Sequence, residues 1–240
     1  MSTPQTGTAQ TGTPQDSPRD RILDAALPSV AFDGWTGRTL REATARAGLP
    51  EGSDELLFPG GELDLLAHWH ERTLDHVESE LAARGLGNMG TTARVREGCL
   101  TALEAITPHE PAMRRATARL ALPDAGAQGP RQLWEMADAI WHAAGDTSTD
   151  SNHYTKRAIL AGVLGASVVA WCNDTSPGKA DARAFLDRRL ADAGRFGQLA
   201  ARARGLADRL PDPGRLLGSL RYGGGPFSRP STRSRRRRGR

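Results

Sequence analysis

The sequence predicts an all-α fold. From residue 18 onward, apolar residues recur at intervals of three and four, which is the period of a helix with one buried face. No stretch alternates apolar and polar residues for long enough to predict a β-sheet. The 240 residues are 38% hydrophobic and 25% charged, a composition typical of a globular chain with one core.

Cap residues and hydrophobic spacing set the expected helix boundaries. Ser17 followed by Pro18 predicts the first helix start, and Thr39 is expected to cap the second helix. Gly145 is expected to end a later helix as a left-handed cap, and Thr149 or Asp150 to begin the next. The predicted helices cover residues 18–34, 39–47, 54–58, 63–84, 91–106, 111–122, 132–144, 150–172 and 179–193.

The charge distribution argues against a broad DNA-binding face on the folded part. Seven arginines lie in the last twelve residues, and without them 25 basic and 28 acidic residues remain. A mildly acidic body offers no extended basic surface to phosphates. The arginine tail itself fits either a solvated, disordered segment or a contact with lipid head groups or nucleic acid.

No pattern predicts a metal site, a cofactor or a catalytic residue. In "HWHERTLDH", His68, Glu71 and Asp75 share one side of a helix, whereas His70 lies with the leucines, so the histidines do not converge. The two cysteines have neither metal-type nor redox-type spacing. Neither a Gly-x-Ser-x-Gly elbow nor a phosphate-binding loop is present. We therefore expect a protein that is not an enzyme.

The run "AILAGVLGASVVAWC", residues 158–172, is apolar on every side. Such a helix is expected to be surrounded by protein or by a ligand. Ala158, Gly162 and Ala166 recur every four positions and fit a close helix contact, such as a dimer interface. The run is shorter than the roughly 20 residues that cross a bilayer. We also predict an internal cavity for a long hydrophobic molecule, and its lining is expected to include Leu160, Val163, Leu164, Val168 and Trp171.

Aromatic rings and carboxylates are concentrated around the turn "GDTSTDSN". Trp134, Trp141 and Tyr154 flank it, and Asp138 lies nearby. Asp, Ser and Thr between helices are most often cap and turn residues. Each ring fits either core packing or a patch that docks a partner, because interface hot spots also combine aromatic and charged groups.

The segment after residue 194 has apolar residues at helical spacing with arginines beside them. This pattern fits an ordinary terminal helix, or a basic amphipathic segment on an anionic membrane surface. The residues expected to contact the membrane are Phe196, Leu199, Arg202, Leu206 and Leu210.

Residues 21–69 resemble the N-terminal part of TetR-type regulators, with a helix-turn-helix followed by a connecting helix. Where such repressors present small, aromatic and basic residues to DNA, this chain has Glu51, Asp54 and Glu55. Phosphates would repel these carboxylates, so DNA is not an expected partner. The resemblance implies a TetR-like helical bundle with a degenerate helix-turn-helix. A ligand-responsive transcriptional regulator of the TetR type is the alternative function.

The segments "DAIWHAAGDTSTDSNHYTKRAILAGVL" and "WCNDTSPGKADARAFLDRRL" resemble the Coq-nine family of lipid-binding proteins in ubiquinone biosynthesis, over residues 18–193. The resemblance implies a homodimer that binds an isoprenoid quinone intermediate, or a phospholipid, and performs no chemistry. It also implies presentation of that intermediate to the di-iron hydroxylase that acts on demethoxyubiquinone. The family's docking surface corresponds here to Asp138, Ile140, Trp141, Asp150, His153 and Tyr154.

Together these observations divide the chain into five segments. We expect a disordered tail at 1–17, a helix-turn-helix-like subdomain at 18–60 and a lipid-binding and dimerisation domain at 61–194. An amphipathic segment at 195–221 and a basic, disordered tail at 222–240 would follow. The expected location is the bacterial cytoplasm, peripherally on the inner face of the membrane.

Overall fold

The computed structural model describes residues 17–148 and 151–207, and the side chains of these residues except 151 and 196–207. The described residues form α-helices joined by turns and short 3-10 segments, without a β-strand among them. The all-α class is therefore confirmed. The helices are α1 Pro18–Asp33, α2 Gly37–Arg46, α3 Ser53–Leu57, α4 Glu62–Arg84, α5 Thr91–Ile106, α6 Glu110–Leu120, α7 Gln128–Ala143, α8 Ser151–Asn173 and α9 Ala180–Ala207.

The start of α1 follows the sequence prediction, but the start of α2 does not. The Ser17 hydroxyl accepts a hydrogen bond from the Asp20 amide at 3.1 Å, as an N-cap residue should. In α2 the cap is Thr36, whose hydroxyl oxygen accepts from the Thr39 amide at 3.1 Å. Thr39 is buried instead, and its hydroxyl donates to the Gly34 carbonyl at 2.9 Å. The predicted cap at Thr39 is therefore wrong by one helical turn.

Two other helix boundaries also differ from the prediction. Helix α7 begins at Gln128, four residues early, because Pro130 lies in the first turn, where its missing N–H costs no helix bond. Helix α9 does not end near Ala193 but continues to Ala207, so Gly194 is a tolerated helix glycine and not a stop. Of the described residues, 195–207 belong to a second compact unit. The predicted tails and both candidate caps of α8 lie outside the described residues.

The described part of the first unit, residues 17–148 and 151–194, contains two clusters of buried apolar side chains. One joins α1, α2, α3 and the start of α4 to α6. Within it the rings of Trp35 and Trp69 stack with centroids 5.2 Å apart, and Trp35 Nε1 donates to the Ala112 carbonyl at 3.1 Å. The other joins the rest of α4 to α5, α7, α8 and α9. The helix-turn-helix-like part is thus fixed to α6 through a tryptophan pair.

A glycine allows α5 and α7 to approach closely. A Cβ atom on Gly98 would lie 2.7 Å from Ile140 Cγ2, a distance that real Cβ contacts essentially never show. The missing side chain leaves the space that Ile140 fills, and Ile140 is 1% exposed. This contact fixes the position of α7 across the second cluster.

Within this chain helix α8 is buried on one side and exposed on the other, so the prediction that protein or ligand surrounds it stays a prediction for the exposed side. Ala158, Gly162 and Ala166 are exposed, and Val169 is 48% exposed. A methyl group added at Gly162 would meet no atom within 4 Å. By length and composition, residues 152–173 are long and apolar enough to cross a bilayer, and 39% of their most apolar window is buried in the protein. Core helices pass the same test, and α8 packs extensively against α7.

Candidate ligand cavity and docking patch

A cavity of about 300 Å³, which we call the central cavity, opens between α4, α5, α6, α7 and α8. This volume lies at the lower end of the range for small-molecule sites. The lining is mainly apolar. It consists of Leu66, Trp69, His70, Thr73, Ala102, Leu103, Ile106, Met113, Ala116, Thr117, Leu120, Ala121, Gly129, Pro130, Gln132, Leu133, Met136, Leu164, Gly165 and Val168.

The structure places two of the five predicted lipid-binding residues on this cavity. Leu164 and Val168 belong to its lining, one helical turn apart on α8. Leu160, Val163 and Trp171 are buried in the second cluster and do not line the cavity. Trp171 is 1% exposed, and its Nε1 donates to Thr107 Oγ1 at 3.0 Å. The assignment of these three side chains to the cavity wall is therefore wrong.

Most of the lining was not predicted from the sequence. These residues belong to α4, α5 and α6, outside the apolar run of α8. Leu103, Ile106 and Met113 follow ordinary amphipathic spacing, which does not distinguish a cavity wall from a filled core. His70 is the titratable group in the described lining. Burial lowers the pKa of His70, although Glu135 Oε2, 3.1 Å from its Nε2, acts in the opposite direction. The imidazole is consequently neutral at neutral pH.

A second candidate site, which we call the α7–α8 patch, comprises Trp134, Asp138, Trp141, His153 and Tyr154. Tyr154 is 65% exposed, and its ring centroid lies 6.1 Å from that of Trp134 and 5.1 Å from that of His153. The His153 ring nitrogen Nδ1 lies 2.9 Å from the Ser148 carbonyl oxygen. The patch therefore presents one projecting ring supported by two others.

Ile140 does not belong to this surface. Its side chain is buried against Gly98, so the prediction that it contacts a partner is wrong. The reason is helical phase: Ile140 lies on the α7 face that packs against α5. Trp141 is half-buried, and its Nε1 donates to the Lys156 carbonyl at 3.3 Å. Asp150, also predicted for this surface, lies outside the described residues.

A buried ionic network fixes the base of the α7–α8 patch. Arg157, whose side chain is 4% exposed, is paired with Asp138 and with Asp146 at 3.2 Å. Lys156 Nζ donates to Asp146 Oδ1 at 2.7 Å, and the Ser148 hydroxyl donates to the same carboxylate at 2.8 Å. Burial alone would raise the pKa of Asp146, but these hydrogen bonds outweigh it and lower the pKa to about 2. In the sequence, the feature that indicates this network is the basic pair Lys156 and Arg157, directly before the apolar run of α8.

The remaining reactive groups give no indication of a redox or metal centre. Burial raises the pKa of the Cys99 thiol to about 12 and that of Cys172 to about 11, so both stay protonated. Among residues 17–148 and 151–207, no group of three His, Cys, Asp or Glu side chains is arranged to hold a metal ion. The side chains predicted to contact a membrane, at positions 196, 199, 202, 206 and 210, lie outside those that the structure describes.

Comparisons with known proteins connect this architecture to one family and one fold. Residues 126–197, which contain all five residues of the α7–α8 patch, match the profile of the COQ9 family. The mitochondrial ubiquinone biosynthesis protein COQ9 of Rattus norvegicus is 32% identical over 197 residues, which cover 79% of this chain and 63% of the relative. The Homo sapiens protein of the same name is 31% identical and is covered to 62%. The chain therefore spans less than two thirds of the length of these relatives.

The fold has a counterpart among solved structures. A TetR transcriptional regulator from Nitrosomonas europaea superposes with a TM-score of 0.61 at 20% identity, covering 75% of this chain and 99% of the regulator. At this identity the likeness concerns the fold alone. The expected TetR-like bundle is confirmed.

The expected location in the bacterial cytoplasm is contradicted by these relatives. The rat, human and Drosophila melanogaster proteins are all named as mitochondrial proteins of eukaryotes.

The ionic network predicts a strong stability difference between its two carboxylates. Replacing Asp146 by Asn leaves the buried Arg157 charge poorly compensated, so we expect the free energy of unfolding to fall by about 3 kcal/mol at pH 7. The matched variant Asp138→Asn removes a carboxylate that is 51% exposed, and the expected loss is below about 1 kcal/mol. Urea denaturation of the three proteins measures both values.

The pH dependence of the same proteins provides a check. Since the folded pKa of Asp146 is about 2 and its ordinary value is 3.8, its stabilising contribution is complete above pH 4 and is lost as the pH falls toward 2. The difference between the wild type and Asp146→Asn should shrink across this window. A difference that stays constant down to pH 2 would contradict the assignment.

Proposed function

We propose that this chain, which is 32% identical to the rat COQ9 protein along 79% of its length, acts in ubiquinone biosynthesis as a non-enzymatic lipid-binding protein. In this proposal the central cavity holds an isoprenoid quinone intermediate or a phospholipid. The α7–α8 patch docks the di-iron hydroxylase that receives the intermediate. The observation that carries the proposal is an apolar cavity directly behind the segment that matches the family.

The physical chemistry of the cavity supports a lipid ligand. Its walls are leucine, isoleucine, methionine and alanine side chains from five helices. Burial of apolar surface is favourable by about 25 cal/mol per Å². The free energy of a polyprenyl chain therefore falls when the chain moves from water into the cavity. At about 300 Å³ the cavity suits a ring and the first part of a tail, with the remainder leaving through the opening.

The groups lining the cavity support a binding role without catalysis. General acid–base or nucleophilic chemistry requires a nucleophile, a base and an orienting group within hydrogen-bond reach of one another. The described lining offers one imidazole, two threonine hydroxyls and one carboxamide. Both hydroxyls donate to carbonyls of their own helices, from Thr73 to Trp69 at 2.8 Å and from Thr117 to Met113 at 3.0 Å. This set is suited to holding a ligand.

The exposed side of α8 supports association of two copies. Ala158, Gly162, Ala166 and Val169 form a smooth apolar strip that faces away from the core. Small residues allow a second helix to approach closely, and burying the strip removes apolar area from water. We therefore include a homodimer through α8 in the proposal.

The regulator alternative has weaker support. The helix that would enter a DNA groove, α3, has five residues, and its exposed side chains include Glu55 and Leu56, the latter 82% exposed. A carboxylate and a leucine favour neither phosphate contact nor base readout. The likeness to a TetR regulator is one of fold, so DNA binding is not part of the proposal.

Filling the central cavity should reduce lipid binding. Val168→Phe places a ring in the cavity, and we expect the affinity for a short-chain ubiquinone to fall roughly tenfold or more. Ala118→Phe introduces the same ring at an exposed position on α6, outside both the lining and the α8 strip, and should bind as the wild type does. Quinone retained per mole of protein after gel filtration is the readout. Equal retention by both variants would count against the cavity.

Removing the projecting ring of the α7–α8 patch should weaken hydroxylase binding. For Tyr154→Ala we expect an affinity loss of roughly tenfold or more, with an unchanged thermal midpoint and unchanged lipid content. Phe32→Ala is a suitable control, because Phe32 is 81% exposed on α1, outside the patch. Calorimetric titration with the purified hydroxylase measures the affinity. A fall in thermal stability without a change in affinity would place Tyr154 in the core.

A charge on the α8 strip should separate the two copies. Ala166→Arg would bury an unpaired guanidinium in the interface, so we expect a monomer where the wild type is a dimer. Ala118→Arg introduces the same charge at an exposed position on α6 and should leave the dimer intact. Light scattering gives the mass in solution. A monomeric wild type, or a dimeric Ala166→Arg protein, would rule out this interface.

A further inference from the structure

A second cavity, which we call the polar pocket, lies beside the central cavity. It has a volume of about 550 Å³ and opens between α1, α4, α5 and the 3-10 turn Thr107–His109. Trp69 and Thr73 of α4 line both cavities. The polar pocket differs in its chemistry, because four of its other lining side chains are ionisable. They are Asp24, Arg72, His76 and His109.

Arg72 is the fixed positive charge of the polar pocket, and only part of its hydrogen-bonding capacity is used. Its Nη1 donates to Asp24 Oδ1 at 2.7 Å and lies 3.8 Å from Asp20 Oδ1. Neither Nε nor Nη2 donates to a residue that the structure describes, and the side chain is 30% exposed. A guanidinium has five N–H donors in a planar fork, so several remain for an oxygen-bearing group in the pocket.

Two imidazoles add further donors. His76 is exposed and lies one helical turn after Arg72 on α4. His109 is half-buried, and its ring centroid lies 6.3 Å from that of Trp69. Burial lowers the pKa of His109, and the Arg72 charge lowers it further, against the opposing effect of Asp24. The His109 ring is therefore neutral at neutral pH and has one N–H to donate.

The carboxylate of Asp24 restricts the kind of anion that fits. It balances the charge of Arg72, and its side chain is 58% exposed. This carboxylate repels an anion that carries no proton, but it can accept a hydrogen bond from an anion that bears a hydroxyl group. A phosphate group has such a hydroxyl, because its last proton dissociates only at about pH 6, and it also has several acceptor oxygens. Sulfate has the oxygens without the proton.

We propose that the polar pocket binds a phosphate group. Arg72, His76 and His109 donate hydrogen bonds to its oxygens. Asp24 accepts a hydrogen bond from its hydroxyl. The site is separate from the proposed lipid site, although the two cavities share part of one wall. A soluble phosphate ester and a lipid head group present the same oxygens, so the chemistry of the pocket is common to both sources.

Calorimetric titration of the full chain with inorganic phosphate tests the site. His76→Ala removes an exposed imidazole from the pocket, and we expect the affinity for phosphate to fall roughly threefold to tenfold. His142→Ala is the matched control, because it removes an exposed imidazole on α7, outside the pocket, and should bind phosphate as the wild type does. Both variants should keep the thermal midpoint of the wild type. Equal phosphate affinities of the two variants would refute the site.

Asp24→Asn tests the role of the carboxylate. The wild type should bind phosphate roughly tenfold more tightly than sulfate, because only phosphate donates to Asp24. The variant replaces the repelling charge by an amide, so it should bind the two anions alike. Loss of the ion pair with Arg72 alone would lower the stability and leave the preference for phosphate unchanged. An unchanged preference would therefore contradict the assignment of Asp24.

A further pair of probes distinguishes a soluble phosphate from a lipid head group. They are glycerol phosphate and phosphatidylcholine vesicles that contain phosphatidate. Binding of glycerol phosphate that is weakened by His76→Ala and not by His142→Ala would assign the pocket to a soluble ester. The same dependence seen with the phosphatidate vesicles alone would assign it to a lipid head group. A wild type that binds neither these probes nor inorganic phosphate, or vesicle binding that is equal in both variants without binding of a soluble phosphate, would overturn the proposal.

Discussion

The contact between α7 and α8 is the arrangement on which both candidate sites depend. Helix α7 contributes Gln132 and Met136 to the central cavity and Trp134 to the surface patch. Helix α8 contributes Val168 to the cavity near one end and Tyr154 to the patch near the other. The network around Arg157 and Asp146 fixes the junction of the two helices. Both sites therefore share the same two helices. A ligand that changed the packing of α7 on α8 would alter the geometry of the α7–α8 patch directly.

Burying an arginine is a demanding way to fix such a junction. A guanidinium in the protein interior destabilises the fold unless carboxylates and carbonyls satisfy its fork of donors. Here two carboxylates and the His153 carbonyl surround Arg157. The first turns of α8, which contain Arg157, also carry His153 and Tyr154 on their outer side. The ionic network thus ties the end of α7 to the first turns of α8, and a patch held in this way would bind a partner without a large ordering cost.

The helices, the apolar run at residues 158–172 and the aromatic patch between α7 and α8 could be predicted from the sequence. Which side chains face the cavity, the core or the solvent could not. Hydrophobic spacing gave α4 and α5 within one residue, because both are long and have clear boundaries. Spacing alone places Ile140 on the buried stripe of α7 with Met136 and Ala137, and its expected contact with a partner came from the family resemblance. Only the structure shows that the missing side chain of Gly98 makes room for it. Spacing could not separate Val168, on the cavity, from Trp171, in the core, because both lie in one apolar run.

The decisive measurement is mass spectrometry of the lipids that co-purify with the protein from ubiquinone-producing cells. An unrelated helical protein purified from the same cells supplies the background. We expect a polyprenyl quinone or one of its precursors to be enriched, at a substantial fraction of one molecule per cavity. A protein that is folded and dimeric but carries no enriched polyprenyl lipid would contradict it.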